Sequence, residues 1–165
     1  MKNKTIIIWV LIIVGLFGLM WWGGQSQASL PSQEQTETQS VLTSDRTLFE
    51  FGTISMAKGL VSTVFKVTNP TDRDINVESI TTSCMCTKAY VLKGTEKSGP
   101  FGMPGHGVVP EANEVIKAGE TRDIEVIYDP AAHGPAGVGP IDRFVFLQDA
   151  SGAVLRLEIK AIVTP

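Results

Sequence analysis

Short β-branched and aromatic runs, cut by Gly, Pro, Asn and Asp, fill the chain from Thr47 onward. Runs of that length between turn formers predict strands and leave little room for an amphipathic helix. Leu48, Glu50 and Gly52 alternate with Phe49, Phe51 and Thr53, so a first strand is predicted with its aromatic face inward. Leu60–Thr68 predicts a second strand, ended by Asn69-Pro70-Thr71-Asp72, where proline removes a ladder donor and presets a turn. Asp74–Ile80 predicts a third, with Ile75 and Val77 on one face and an irregularity at Ser79. Further strands are predicted at Ala89–Leu92, Val115–Lys117 and Thr121–Asp129, the last placing Ile124, Val126 and Tyr128 on one face. Asp142–Leu147 and Val154–Val163, joined by Asp149-Ala150-Ser151-Gly152, predict a closing hairpin. Seven to eight strands without a helix predict an all-β, two-sheet antiparallel β-sandwich.

Two stretches are too dense in breakers for a helix or a central strand. Lys93–Asn113 holds five glycines and three prolines, and Pro130–Pro140 is a second glycine-rich loop. Loops of such length in a compact domain are often functional.

The N-terminal part is of another kind. Residues 5–22 contain no charged side chain, and 18 residues at helical rise span about 27 Å, close to the hydrocarbon thickness of a bilayer. Lys2 and Lys4 precede this run, so the positive-inside rule leaves residues 1–4 as a cytoplasmic stub and sends the rest of the chain across. Trp21 and Trp22 fall where indole rings prefer to sit, at the far interface. Ser26-Gln27-Ala28 offers a peptidase site, but the apolar run exceeds the usual ~7–15 residues of a signal core, which favours an uncleaved signal anchor. Either reading exports the remainder. Residues 23–44, rich in Gln, Ser, Thr and Glu, read as a flexible polar linker with a reach on the order of 25–30 Å. The expected organisation is therefore a single-pass cell-membrane protein with an extracytoplasmic domain over residues 45–165.

The formal charge is −3, and −5 once the two leading lysines are set aside. That balance excludes nucleic acid, whose phosphates demand a clustered basic face. A serine elbow, a phosphate-binding glycine loop and paired histidines at helical spacing are all missing, so no catalysis is expected. Glu111, Glu114 and Asp142 read as solvated charges.

Cys84 and Cys86 are the only cysteines in the chain. In an extended strand their side chains would point to one face about 6.6 Å apart, whereas a disulfide needs β-carbons within ~4.5 Å, so a regular strand disfavours a bridge. If the segment turns after Thr82 the sulfurs can meet, and a strained Cys-x-Cys disulfide would be readily reducible and suited to exchange. Two thiolates on one face could equally converge on a soft ion such as Cu(I), which thiolate and thioether ligands select. Met85 lies between the cysteines; Met103 and His106 sit in the first glycine-rich loop and His133 in the second, as further soft or borderline ligands. The bland reading makes one cysteine a small core residue and the other incidental.

Phe49-Glu50-Phe51-Gly52-Thr53-Ile54, Val64–Asn69, Ser79–Thr87, Ile116-Lys117-Ala118-Gly119-Glu120 and Val126-Ile127-Tyr128-Asp129-Pro130 occur in an order that resembles bacterial domain of unknown function family 1573. The resemblance runs over residues 47–163. It implies an immunoglobulin-like domain, akin to the Hydin-type and major-sperm-protein-type sandwiches, which act mainly as binding modules. The family usually carries Ser-Cys-Gly-Cys-Thr where this chain has Met85, which adds a thioether and removes glycine's backbone freedom. The expected role is a membrane-anchored, non-enzymatic binding module. It would bind Cu(I) through the cysteines, or another envelope protein with the cysteines structural; a thiol–disulfide domain is the further alternative.

Overall fold

The structure, a computed structural model, describes residues 39–165. The expected stub 1–4, the expected span 5–22 and the linker up to residue 38 lie outside the described residues. Among the described residues no helix is long and apolar enough to cross a membrane.

Among the described residues, ten strands form two five-stranded sheets. They are β1 (Thr43–Ser44), β2 (Leu48–Ser55), β3 (Val61–Thr68), β4 (Ile75–Thr82), β5 (Thr87–Lys93), β6 (Glu96–Phe101), β7 (Glu114–Ile116), β8 (Thr121–Tyr128), β9 (Gly139–Asp149) and β10 (Val154–Thr164). The first sheet has the order β1-β3-β8-β5-β6 and the second β2-β10-β9-β4-β7. The core lies between them, and alternation fills it: Phe65 and Val67 of β3, Ile124, Val126 and Tyr128 of β8, and Ala89 and Val91 of β5 meet Val145 and Leu147 of β9 and Leu157, Ile159 and Val163 of β10. Each fully buried aliphatic side chain of this kind stabilises the fold by about 1.5–3 kcal/mol.

Several expectations are corrected. The strands number ten because β1 and β6 join the eight read from periodicity. β6 lies inside the breaker-rich stretch, where its Pro100 is tolerated because β6 is the edge of its sheet. The sandwich is not wholly antiparallel, since β2 runs parallel to β10. Thr53 is exposed and Ile54 turns inward instead, because a register shift opposite Lys160 and Ile162, with Gly52 at φ 68°, inserts one residue into β2. The irregularity expected at Ser79 falls at Glu78, where the pairing of β4 with β9 shifts.

The domain also begins earlier than residue 45. Gln39 bridges Val154, Leu42 is 2% exposed, and β1 pairs with β3. Asp45 holds this segment down: its Oδ1 accepts from Lys66 N at 2.9 Å and its own N–H donates to Lys66 O. Polarity of the segment as a whole concealed this, because one buried leucine and a few ladder bonds suffice to dock six residues.

At the end of the sandwich away from the cysteines, Asn69 is fully buried and joins three segments. Its Nδ2 donates to Arg73 O and Ile116 O, and its Oδ1 accepts from the N–H and hydroxyl of Thr71. Nearby Arg122, on the inward face of β8, pairs with Glu114 at 2.8 Å and Glu120 at 3.0 Å.

Two outcomes follow from these contacts. Asn69→Ala strands two carbonyls without donors, each costing about 1–3 kcal/mol, so urea unfolding should show a stability loss of about 2–4 kcal/mol with an unchanged m-value. For Asp45, the Lys66 N–H holds the carboxyl below its ordinary value of 3.8. A depressed carboxylate adds stability that is complete above the ordinary value and lost as the pH falls through the folded one. Asp45→Asn should therefore lower Tm at neutral pH, with the difference from wild type closing as the pH drops below the carboxylate range.

Candidate functional site

β4 belongs to the second sheet and β5 to the first, so Ser83–Cys86 is the passage between sheets. Thr82 still pairs with Val145, and Thr87 already pairs with Tyr128. The chain must change sheets within four residues, and it does so by turning. Thr87 N donates to Cys84 O at 3.1 Å, closing a four-residue turn. The buried Thr82 hydroxyl lies 3.0 Å from Cys84 O and 3.1 Å from Thr87 O, so one donor ties both ends of the turn. Outside it, Ser83 N donates to Phe144 O, Phe144 N donates to the Ser83 hydroxyl, and Asp129 N donates to Cys86 O.

Of the two geometries open to the motif, the turned one is therefore present. The α-carbons of Cys84 and Cys86 are 5.3 Å apart and the sulfurs are bonded as a disulfide. Cys84 is 9% exposed and Cys86 3%, so the bridge sits at the mouth of the core with Cys84 on the outer side. Met85, between them, is 44% exposed. Asn113 is the only non-glycine residue at positive φ among the described residues, so position 85 does not use the freedom a glycine would bring.

Two cationic or basic side chains converge on the sulfurs. His133 Nε2 lies 3.2 Å from Cys84 Sγ, delivered by the loop between β8 and β9. That loop is fixed at its root, where Asp129 Oδ1 accepts from Ala131 N and Gly134 N donates to Ala131 O. It folds back closely at Gly137, where a Cβ would stand 3.2 Å from His133 Cβ and 3.4 Å from Met56 Cε. Arg143, on β9, directs Nε at Cys86 Sγ from 3.4 Å, while its Nη1 donates to Asp142 O. Tyr128 closes the floor at the end of β8; burial pushes its phenol above the ordinary value, so it stays a neutral neighbour.

Of the residues expected at a site, Cys84, Cys86 and His133 are brought together, with ligand atoms all within 4.8 Å of one another. Met85 flanks them from the exposed tip of the turn. His106 is not part of that cluster; it and Met103 lie in the loop after β6, where His106 N donates to Met103 O. Arg143, Thr82 and Gly137 are not expected at a site from the sequence. Arg143 had a legible signal: with Ile141, Val145 and Leu147 buried, period two puts a guanidinium on the inward face of its strand.

A family model described as "Protein of unknown function (DUF1573)" matches residues 42–102, from the segment before β1 to the residue after β6. No curated protein matches the chain. Among solved structures, it is similar to a protein of unknown function from Porphyromonas gingivalis W83, at 14% identity and a TM-score of 0.54, over 81% of this chain and 51% of that one. It is also similar to the secreted serine protease VesC from Vibrio cholerae, at 13% identity and a TM-score of 0.47, over 79% of this chain and 25% of that one. The YadV chaperone matches at 12% identity and a TM-score of 0.39, over 76% of this chain and 52% of its own. The chain thus spans about half or less of the length of these structures. At such identity the first supports the fold alone.

The turn's dependence on one hydroxyl is testable. Thr82→Val keeps the shape and removes the donor to two carbonyls, and should cost about 1–3 kcal/mol in equilibrium unfolding of the oxidised protein.

Proposed function

We propose, for a chain that belongs to the family of unknown function just described, that it presents Cys84 and Cys86 outside the cytoplasm as a thiol–disulfide couple. The observation that carries this reading is the placement of His133 and Arg143 against the two sulfurs of a bridge at the mouth of the sandwich. The short ring supports it from the side of energetics. With a sequence separation of 2 the bridge closes about three residues, and in the chain-entropy account such a loop is worth roughly 1.6 kcal/mol, about half the value for a 15-residue loop. As a staple it is weak, so the chemistry of the pair accounts for the bridge better than stabilisation does.

In the proposed exchange, an external thiolate attacks the Sγ of Cys84, the less deeply buried of the two cysteines, and forms a mixed disulfide. The Cys84–Cys86 bond breaks, and its electron pair leaves on Cys86 Sγ, beside the Arg143 guanidinium. A second external thiolate then attacks the external sulfur of the mixed disulfide. This releases an external disulfide, and Cys84 takes a proton from solvent. Two thiols are oxidised and one protein disulfide is reduced. The co-reactant is a small thiol or a dithiol protein of the cell envelope; Leu60, Met85 and Val138, exposed on three loops at this end, are what such a protein would meet.

The address rests on the sequence, with lysines before an uncharged stretch of 18 residues, and on the oxidising conditions in which bridges persist. On this reading the protein is a single-pass membrane protein and the sandwich is immunoglobulin-like, a grouping supported by its two facing sheets. The same pair in its dithiol state is also a candidate for a soft ion, because His133 adds a third donor beside two thiolates. We assign no catalytic turnover.

The full chain, held in mild detergent, should be equilibrated with glutathione mixtures, quenched by alkylation and weighed. Two alkylated thiols should form reversibly while the circular dichroism of the sheets stays unchanged. A bridge that opens only when the domain unfolds would overturn the proposal.

A further inference from the structure

The arginine beside Cys86 has no carboxylate within ion-pair distance among the described residues, whose ion pairs involve other side chains. Arg122 at the opposite end of the sandwich is paired with two carboxylates. A guanidinium aimed at the sulfur of a neutral disulfide meets only a weak acceptor. The same guanidinium beside a dithiolate meets a full negative charge.

The donor set around that charge is specific. Cys84 Sγ, Cys86 Sγ and His133 Nε2 lie within 4.8 Å of one another, and no fourth His, Cys, Asp or Glu joins them among the described residues. A structural zinc site takes four ligands, and hard cations take oxygens. Two thiolates and an imidazole suit a soft ion. Charge then decides the valence. Two thiolates with a monovalent ion leave one negative charge, which Arg143 cancels; with a divalent ion they are already neutral, and Arg143 would leave an uncompensated positive charge at the edge of the core. The Cys86 N–H, 3.3 Å from Cys84 Sγ, supplies a hydrogen bond to the sulfur of the kind that supports thiolate ligands.

We propose that the dithiol form binds one Cu(I) ion through Cys84 Sγ, Cys86 Sγ and His133 Nε2, with Arg143 as the neutralising cation, and that disulfide formation expels it. This rests on the reading that the bridge opens in the folded protein. Opening requires two electrons and two protons from a thiol reductant. Moving the sulfurs to the roughly 3.8 Å separation that metal–sulfur bonds of about 2.3 Å require asks for side-chain rotation at a turn already pinned by Thr82. Bond formation between the sulfurs removes both anionic ligands, so the two states exclude each other.

The full chain in mild detergent is reduced with a phosphine, freed of reductant under nitrogen, and counted for thiols by alkylation before titration with Cu(I) against a chromophoric chelator. One equivalent should bind to the reduced protein and none to the oxidised. His133→Ala, at an exposed position, should weaken binding at least about 10-fold, and Arg143→Gln about 10-fold, both with unchanged circular dichroism. Zn(II) should be retained less well than Cu(I). Two countable thiols with no bound copper would overturn the metal site and leave the exchange reading standing. Absence of thiols in the folded protein would overturn both. Affinity unchanged in His133→Ala, or stronger retention of Zn(II), would also overturn the assignment.

Discussion

Everything at the functional end depends on a length constraint. Sheets packed face to face stand about 10 Å apart, and only Ser83–Cys86 separates the last ladder pair of β4 from the first of β5. Both ends of the passage are locked by backbone pairing, and its middle is tied by the Thr82 hydroxyl. The backbone positions of the two cysteines are therefore dictated by the sandwich and do not depend on the bond between their sulfurs. On the exchange reading the bridge would open without releasing a strand, because ladder pairing and the Thr82 hydroxyl hold the passage at its ends and middle.

The two inward-facing arginines show how the same residue type serves different ends. Arg122 lies on β8 where the sheets close over Glu114 and Glu120, and its charge is accounted for by carboxylates. Arg143 lies on β9 near the passage, where the neighbours are Tyr128, kept neutral by burial, and the sulfur of Cys86. Among the described residues Arg143 pairs with no carboxylate, its Nη1 donating to Asp142 O and its Nε facing Cys86 Sγ, which is the placement that the proposed thiolate would use. The asymmetry between the sulfurs follows: Cys84 faces the imidazole and solvent, Cys86 faces the guanidinium and the core.

Period two made most of the sandwich legible, because the contrast between buried and exposed faces runs through most strands and is interrupted in β2 and β4 only by a single inserted residue each. Thr121–Tyr128 is the clearest instance: its inward face, Ile124, Val126 and Tyr128, was readable residue by residue. What escaped was structure held by backbone rather than by pattern. β1 has two residues, too few for a period; β6 has no buried side chain until Phe101, since an edge strand facing solvent shows no alternation. The parallel placement of β2 beside β10 is likewise a fact of topology that no local sequence encodes. At the site, the cysteines were evident from scarcity and His133 from its loop, but His106 was equally eligible on those grounds. Both loops leave the sandwich at the end of the β4–β5 passage, since Phe101 pairs with Ala89 and Thr82 N donates to Gly102 O, and the choice between the two histidines is made by the path of the β8–β9 loop, which sets His133 Nε2 3.2 Å from Cys84 Sγ.

The identity of residue 85 bears on how this site faces its surroundings. A turn of four residues needs glycine where a positive φ is demanded, and Met85 adopts none. The backbone therefore leaves this position free, and its side chain is determined by what lies outside the turn. A methionine there adds an adaptable apolar group to the exposed Leu60 and Val138 at the same end, outside a bridge whose two cysteines are buried, Cys84 less deeply than Cys86. On the proposed reading these exposed apolar groups would favour a protein surface or a weakly hydrated soft group over a strongly hydrated anion at this end of the sandwich.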